Sequence, residues 1–218
     1  MSAEEVPLHL RGNGRPVSEE LSLTELQVIG SIPKELDGLY VRNGANPISG
    51  TSAHPFLGDG MVHALRLRDG KADWYRNRYI KTPFITDTSL NGLDPTVMMK
   101  MESSKANTHV VGHAGKILAL EEGHFPYSLD GEINTIGPTD FDGALKGSFT
   151  AHPKICPLTG EMLAFGYSLF EPHLRYLRVS ASGELVQTET ITVGGPTMMH
   201  DFNVTENYVI FMDLPAVF

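Results

Sequence analysis

Cysteine is almost missing from this sequence: Cys156 stands alone among 218 residues, so no internal disulfide can form. Long apolar runs are missing as well, and nothing approaches the roughly 18 consecutive apolar residues of a membrane-spanning helix. The N-terminus carries Glu4 and Glu5 where a secretory leader would have basic residues followed by an apolar stretch. Together these absences lead us to expect a cytoplasmic protein. Positive charge is also scarce. The 17 Lys and Arg residues are outnumbered by 26 Asp and Glu, the formal charge is -9, and no basic run occurs. Such a chain has no field to attract phosphates, which excludes a nucleic-acid-binding role. Neither a Gly-x-Ser-x-Gly elbow, a phosphate-binding loop, a Gly-x-Gly-x-x-Gly turn nor a Cys-x-x-Cys pair is present, so hydrolase, nucleotide-binding and zinc-ribbon readings lack support.

What is there is strand-forming. Apolar stretches are short, rich in β-branched and aromatic residues, and repeatedly cut by Gly or Asp-Gly. Strands are expected at Val62 to Arg68, closed by Asp69-Gly70, and at Lys116 to Leu120 and Tyr127 to Asp130. More are expected at Glu161 to Tyr167, Leu174 to Val179, Leu185 to Val193 and Tyr208 to Met212. A single short helix signal spans Ser22 to Leu26. The fold class is therefore all-β, and a sandwich, a barrel and a propeller all remain open on composition. The last residues, Tyr208 to Phe218, end on apolar side chains without a polar tail, which reads as a truncation.

The candidate chemistry lies in nine histidines. His109 and His113 have the i, i+4 spacing of a helical chelate, but Val110, Val111 and the Ala114-Gly115 turn favour a strand. On a strand the two would be about 13 Å apart, too far to share an ion. His54 and His63 flank Gly58-Asp59-Gly60, a turn expected to need glycine for positive backbone angles, and both are read as structural. His9, His124 and His173 have no partner in sequence and default to surface or satisfied core positions. His152 and His200 stand apart. The first precedes a proline, which forces extended backbone, and the second opens a strand. Their separation, 200 − 152 = 48 residues, suits equivalent positions on successive four-stranded blades.

Several segments in one order resemble the carotenoid cleavage oxygenase family. They are Gly38-Leu39-Tyr40-Val41-Arg42-Asn43-Gly44-Ala45-Asn46-Pro47, Gly58-Asp59-Gly60-Met61-Val62-His63, Ser148 to Lys154 around His152, and Met198 to Phe202 around His200. The resemblance covers residues 25–218 as part of one domain and leaves residues 1–24 as an N-terminal arm. It implies a seven-bladed β-propeller, here only its N-terminal blades, with ferrous iron held on the axis by four histidines. By position, His152 and His200 would be the first two ligands, the other two lying beyond Phe218. Glu122 would hydrogen-bond a ligand histidine, expected to be His200. The implied reaction takes dioxygen and a lipophilic polyene and yields two carbonyl products. Stilbene-cleaving relatives resemble this chain but look as if they carry lysine where Glu121 stands, and Glu121 would repel a phenolate. The alternatives are a stilbene-cleaving oxygenase, a retinoid isomerase-like activity and a non-catalytic propeller fragment or binding module. Phe84 and Ile85 are candidates for a peripheral membrane contact or, equally, for a buried loop; no protein partner is expected.

Overall fold

Alternation of apolar side chains along short strands builds three four-stranded antiparallel sheets and a two-stranded one. A computed structural model describes residues 6–87, 89–90 and 94–214 of the chain. The first sheet contains β1 (Ser22–Leu23), β2 (Gly38–Ala45), β3 (Gly60–Arg68) and β4 (Lys71–Tyr79), in the order β1-β4-β3-β2. The second is a simple meander of β5 (His109–His113), β6 (Lys116–Leu120), β7 (Tyr127–Leu129) and β8 (Thr135–Pro138). The third repeats that meander with β9 (Lys154–Ile155), β10 (Met162–Tyr167), β11 (Leu174–Val179) and β12 (Leu185–Ile191). Last come β13 (Asn203–Val204) and β14 (Val209–Ile210), paired with each other.

Two hairpins show how the turns follow from sequence. Asp69-Gly70 joins β3 to β4 with φ of 50° and 74°, and Ala114-Gly115 joins β5 to β6 with 49° and 73°. Two consecutive positive φ values are the signature of the tight turn whose twist matches paired strands.

The period-two pattern lets each sheet serve two cores. Leu118 and Leu120 of β6 face the third sheet, where they meet Phe149, Met162, Ala164, Leu177 and Val179. Ala119, between them, faces the first sheet and packs with Val62, Ala64, Ile80 and Leu129. The far side of the third sheet places Phe165 and Leu174 against Met199 and Phe202, at the entry to β13. Sheets stacked face to face in chain order are blades of a β-propeller, which is the all-β architecture expected. The first strands of successive blades lie side by side: Asn43 of β2 donates to the carbonyls of Ala106 and His109, at 2.7 and 3.0 Å.

Two expectations need correction. Ser22 to Leu26 holds no helix; Ser22 and Leu23 pair with Arg76 and Tyr75 as an edge strand, and the neighbouring Leu21 carbonyl accepts from Asn77 and Arg78. Cross-strand partners there outweigh a weak local propensity. The single-turn helices lie instead at α1 (Pro83–Thr86) and α2 (Pro95–Met98), each with proline at its start, and Asp94 caps α2 by accepting from the Thr96 amide at 2.8 Å. The glycines at 58 and 60 are required by close approach rather than by positive φ. A Cβ on Gly58 would meet the Asn46 nitrogen at 2.8 Å, and one on Gly60 the Ala106 carbonyl oxygen at 2.5 Å.

Candidate metal centre

His152 is placed by the segment that runs over β10 before turning into β9. The Thr150 amide donates to the Phe165 carbonyl at 2.7 Å, and the Ser148 hydroxyl to that of Tyr167 at 2.6 Å. Gly166 permits this crossing, since a Cβ there would lie 2.1 Å from the Ser148 carbonyl oxygen. His200 is placed by its neighbours. Met199 and Phe202 are buried in the third core and turn the imidazole between them outward, and Asp201 ties the loop to β9 through Lys154 at 2.7 Å. Glu122 follows the buried end of β6.

These three residues converge. One ligand-type atom from each of Glu122, His152 and His200 lies within 4.8 Å of the other two, and the two imidazole centroids are 4.5 Å apart. Glu122 Oε1 accepts from Nδ1 of His200, while its Oε2 accepts from the Tyr167 hydroxyl at 2.9 Å. Both carboxylate oxygens are thereby engaged, and Nε2 of His200 keeps its lone pair for another partner. Burial, then the Glu122 charge, pushes the Tyr167 phenol above its ordinary range, so it holds its proton and donates it to this bond. Burial and the neighbouring His200 lower His152, keeping it in the neutral form that binds metals.

Among the described residues, His152 Nε2 is one of two buried side-chain polar atoms without a hydrogen-bond partner; the other is the Thr82 hydroxyl. An orphaned buried nitrogen is costly unless something completes it. Two imidazoles with a carboxylate fixing one of them fit a divalent first-row metal, ferrous iron included.

The other histidines scatter. His109 and His113 do sit at opposite ends of one strand, and His113 is buried, bonded to the Gly160 carbonyl at 3.0 Å. His109 comes near the centre, its ring 5.9 Å from that of His152, though it is outside the three-residue cluster. His63 faces the Tyr75 hydroxyl at 2.8 Å, and His9 and His173 bond the carbonyls of Ser52 and Ser168.

His124 departs from the default assigned to it. Its Nδ1 is 3.0 Å from both oxygens of Glu121, and its Nε2 donates to the Met98 carbonyl at 3.0 Å. Burial lowers its pKa, but the bond to Glu121 and that residue's charge outweigh burial and leave it raised. Burial likewise raises Glu121, yet His124, the Lys105 amide and the Ser104 hydroxyl together hold it below its ordinary value. Phe84 and Ile85 are half buried, with the Lys105 ammonium 4.4 Å from the Phe84 ring centroid.

The family model described as retinal pigment epithelial membrane protein (RPE65) matches residues 14–218. The chain belongs to this family, that of the carotenoid cleavage oxygenases. It is 43% identical over 224 residues to a carotenoid cleavage oxygenase of Mycobacterium tuberculosis, covering all of this chain and 45% of that protein. With carotenoid 9,10(9',10')-cleavage dioxygenase 1 of Pisum sativum the identity is 41%, over 98% of this chain and 46% of the relative. The chain thus spans about half the length of the curated relatives it matches. Among solved structures, a lignostilbene dioxygenase of Pseudomonas brassicacearum superposes with a TM-score of 0.84 at 32% identity, over 96% of this chain and 48% of that one. An apocarotenoid oxygenase of Synechocystis gives 0.74 at 26%, over 90% of this chain and 47% of that one.

Within this family member, Tyr167 and the Glu121–His124 pair are the site residues that sequence reasoning missed. The spacing Glu121-x-x-His124 was a readable cue, because three residues suffice to bring an acid and an imidazole together across a tight loop. Tyr167 had no cue at all, being 45 residues from Glu122.

Proposed function

We propose that this chain supplies the N-terminal blades and two metal ligands, His152 and His200, of a non-haem iron dioxygenase that cleaves a conjugated double bond of a carotenoid or apocarotenoid. The observation that carries the reading is the buried, unpartnered Nε2 of His152 lying beside His200 and Glu122. Ferrous iron held there would activate dioxygen, and dioxygen itself would supply both oxygen atoms and the oxidising equivalents for the two carbonyl products. In this reading two further imidazoles come from outside these 218 residues.

The chain's own residues do the positioning. Glu122 accepts the Nδ1 proton of His200, fixes its tautomer and turns Nε2 toward the metal. Tyr167 holds the second oxygen of Glu122, so the carboxylate cannot rotate away. Phe165, Phe202 and Phe211 pack with ring centroids 5.0 to 5.8 Å apart and anchor the backbone two residues beyond His200.

The names of the curated relatives support a carotenoid substrate, whereas likeness to the lignostilbene dioxygenase favours a hydroxystilbene. Glu121 weighs against the second. Its oxygens are occupied by Ser104, the Lys105 amide and His124, so the position offers a phenolate no free cation; the repulsion expected from sequence is replaced by plain absence of a donor. The test is the protein carrying the full ligand set, loaded with ferrous iron and given apocarotenals, carotenes and hydroxystilbenes in parallel, with products identified by mass. Polyene aldehydes or ketones are expected. Turnover of hydroxystilbene alone would sink the carotenoid assignment.

A further inference from the structure

We propose that the cavity between the β6–β7 and β10–β11 loops binds a lipophilic molecule by a terminal carboxylate, with Arg175 as the group that holds the anion. This deepens the function proposed above and rests on it only in taking the lipophile to be an acid-terminated polyene.

The cavity has a volume of about 410 Å³, in the range of small-ligand pockets. Arg175 projects into it from β11 and is half buried. Among the described residues its guanidinium has neither an ion pair nor a hydrogen bond, and the same is true of Lys146 nearby. A partly buried, unpaired guanidinium is costly, and its planar fork of donors matches a carboxylate. Gly147 makes room for it: a Cβ there would lie 2.8 Å from Nη1 of Arg175.

Charge around the pocket leaves this cation uncompensated. His124 lines the wall, but Glu121 balances it; Glu171 also lines the cavity, yet it forms no ion pair with Arg175 or Lys146 among the described residues. The rest of the rim is apolar. Met98, Met99, Leu169 and Phe170 are each half or more exposed, a surface suited to a hydrocarbon chain and not to water. Tyr167 joins the pocket to the metal centre, since it lines the cavity while its hydroxyl holds Glu122. A polyene anchored by its carboxylate on Arg175 would therefore run along the wall that borders the metal centre.

All-trans-retinoic acid and all-trans-retinol test this, because they share one polyene and differ only in the end group. Binding to the metal-free full-chain protein is read by equilibrium dialysis, with no turnover involved. The acid is expected to bind about tenfold to a hundredfold more tightly than the alcohol, the span of one charge-assisted contact. Arg175→Met should erase that preference and leave retinol affinity within about twofold, which also reports that the variant is folded. Arg175→Lys should keep part of the preference, and Gly147→Ala, which crowds the guanidinium, should reduce it. If Arg175→Met lost both ligands, the Gly147→Ala and Arg175→Lys pair would decide by the same preference. Equal affinity for acid and alcohol in the unmodified protein, or an acid preference that survives Arg175→Met, overturns the proposal. Acid-selective binding in a protein that cleaves no polyene refutes the reaction and not the pocket; cleavage without acid selectivity refutes the pocket and not the reaction.

Discussion

Replacing Glu122 by glutamine changes charge while keeping shape, and so isolates what the carboxylate does for His200. The amide oxygen can still accept from Nδ1 of His200, and the amide nitrogen can donate to the Tyr167 oxygen once that hydroxyl rotates. What disappears is the charge assistance. A bond to a charged group contributes about 1.5–3 kcal/mol and a neutral one about 0.5–1.5, so the difference is about 1–1.5 kcal/mol. That corresponds to roughly tenfold in affinity, the lower end of the loss typical when a ligand histidine loses its supporting partner. The lower end is appropriate because the His200 side chain is 60% exposed and solvent screens the pair, although that of Glu122 is only 17% exposed. The assay is anaerobic dialysis of the protein carrying the full ligand set against buffered ferrous iron, followed by metal analysis. Tyr167→Phe should give a smaller loss in the same direction, since it frees one carboxylate oxygen without removing the charge. Unchanged affinity in Glu122→Gln would refute the positioning role, and a loss as complete as that of His200→Ala would show that Glu122 is itself a ligand.

His152→Ala and His200→Ala should each abolish iron retention, whereas His109→Ala should keep it within a few-fold despite its ring lying 5.9 Å from that of His152; metal analysis of the three variants decides. His113→Ala should retain metal but lose about 1 kcal/mol of stability in urea melts, because it removes the buried bond to Gly160. The Glu121–His124 pair sets a pH dependence whose sign follows from the two shifts. His124 is raised above 6.5, so its contribution is complete below that value and is lost as pH rises through the folded pKa. Glu121 is lowered below 4.5, so its contribution is present above that value and is lost as pH falls through the folded pKa. The stability gap between the unmodified chain and His124→Gln should therefore be widest between pH 4.5 and 6.5 and shrink toward alkaline pH. A gap that grows with pH in urea melts would contradict the charged pair.

Local rules were enough to read the strands from Lys116 to Leu120 and from Leu174 to Val179, both observed with those bounds. Each is a short apolar, strand-forming stretch between turn residues, and two-sided burial between blades accounts for the uninterrupted run Ile117-Leu118-Ala119-Leu120. The same rules failed at Ser22 to Leu26, where pairing to a strand some 50 residues away sets the backbone. They also misread Gly58 and Gly60, because close approach of distant carbonyls leaves no mark on the local sequence.

By itself the sequence determined the all-β class and the tight turns, and segments resembling a known family marked His152, His200 and Glu122 as candidates. Side-chain alternation and backbone stereochemistry are local properties, and each residue carries its share of them. Only the tertiary structure decided that atoms 30 and 48 residues apart in the chain (152 − 122 and 200 − 152) meet within 4.8 Å. It alone also brought Tyr167 onto Glu122 and placed Arg175 beside the same wall without an ion pair or hydrogen bond among the described residues. Convergence at the inner edge of stacked sheets depends on how whole faces pack, and no window of sequence contains both faces.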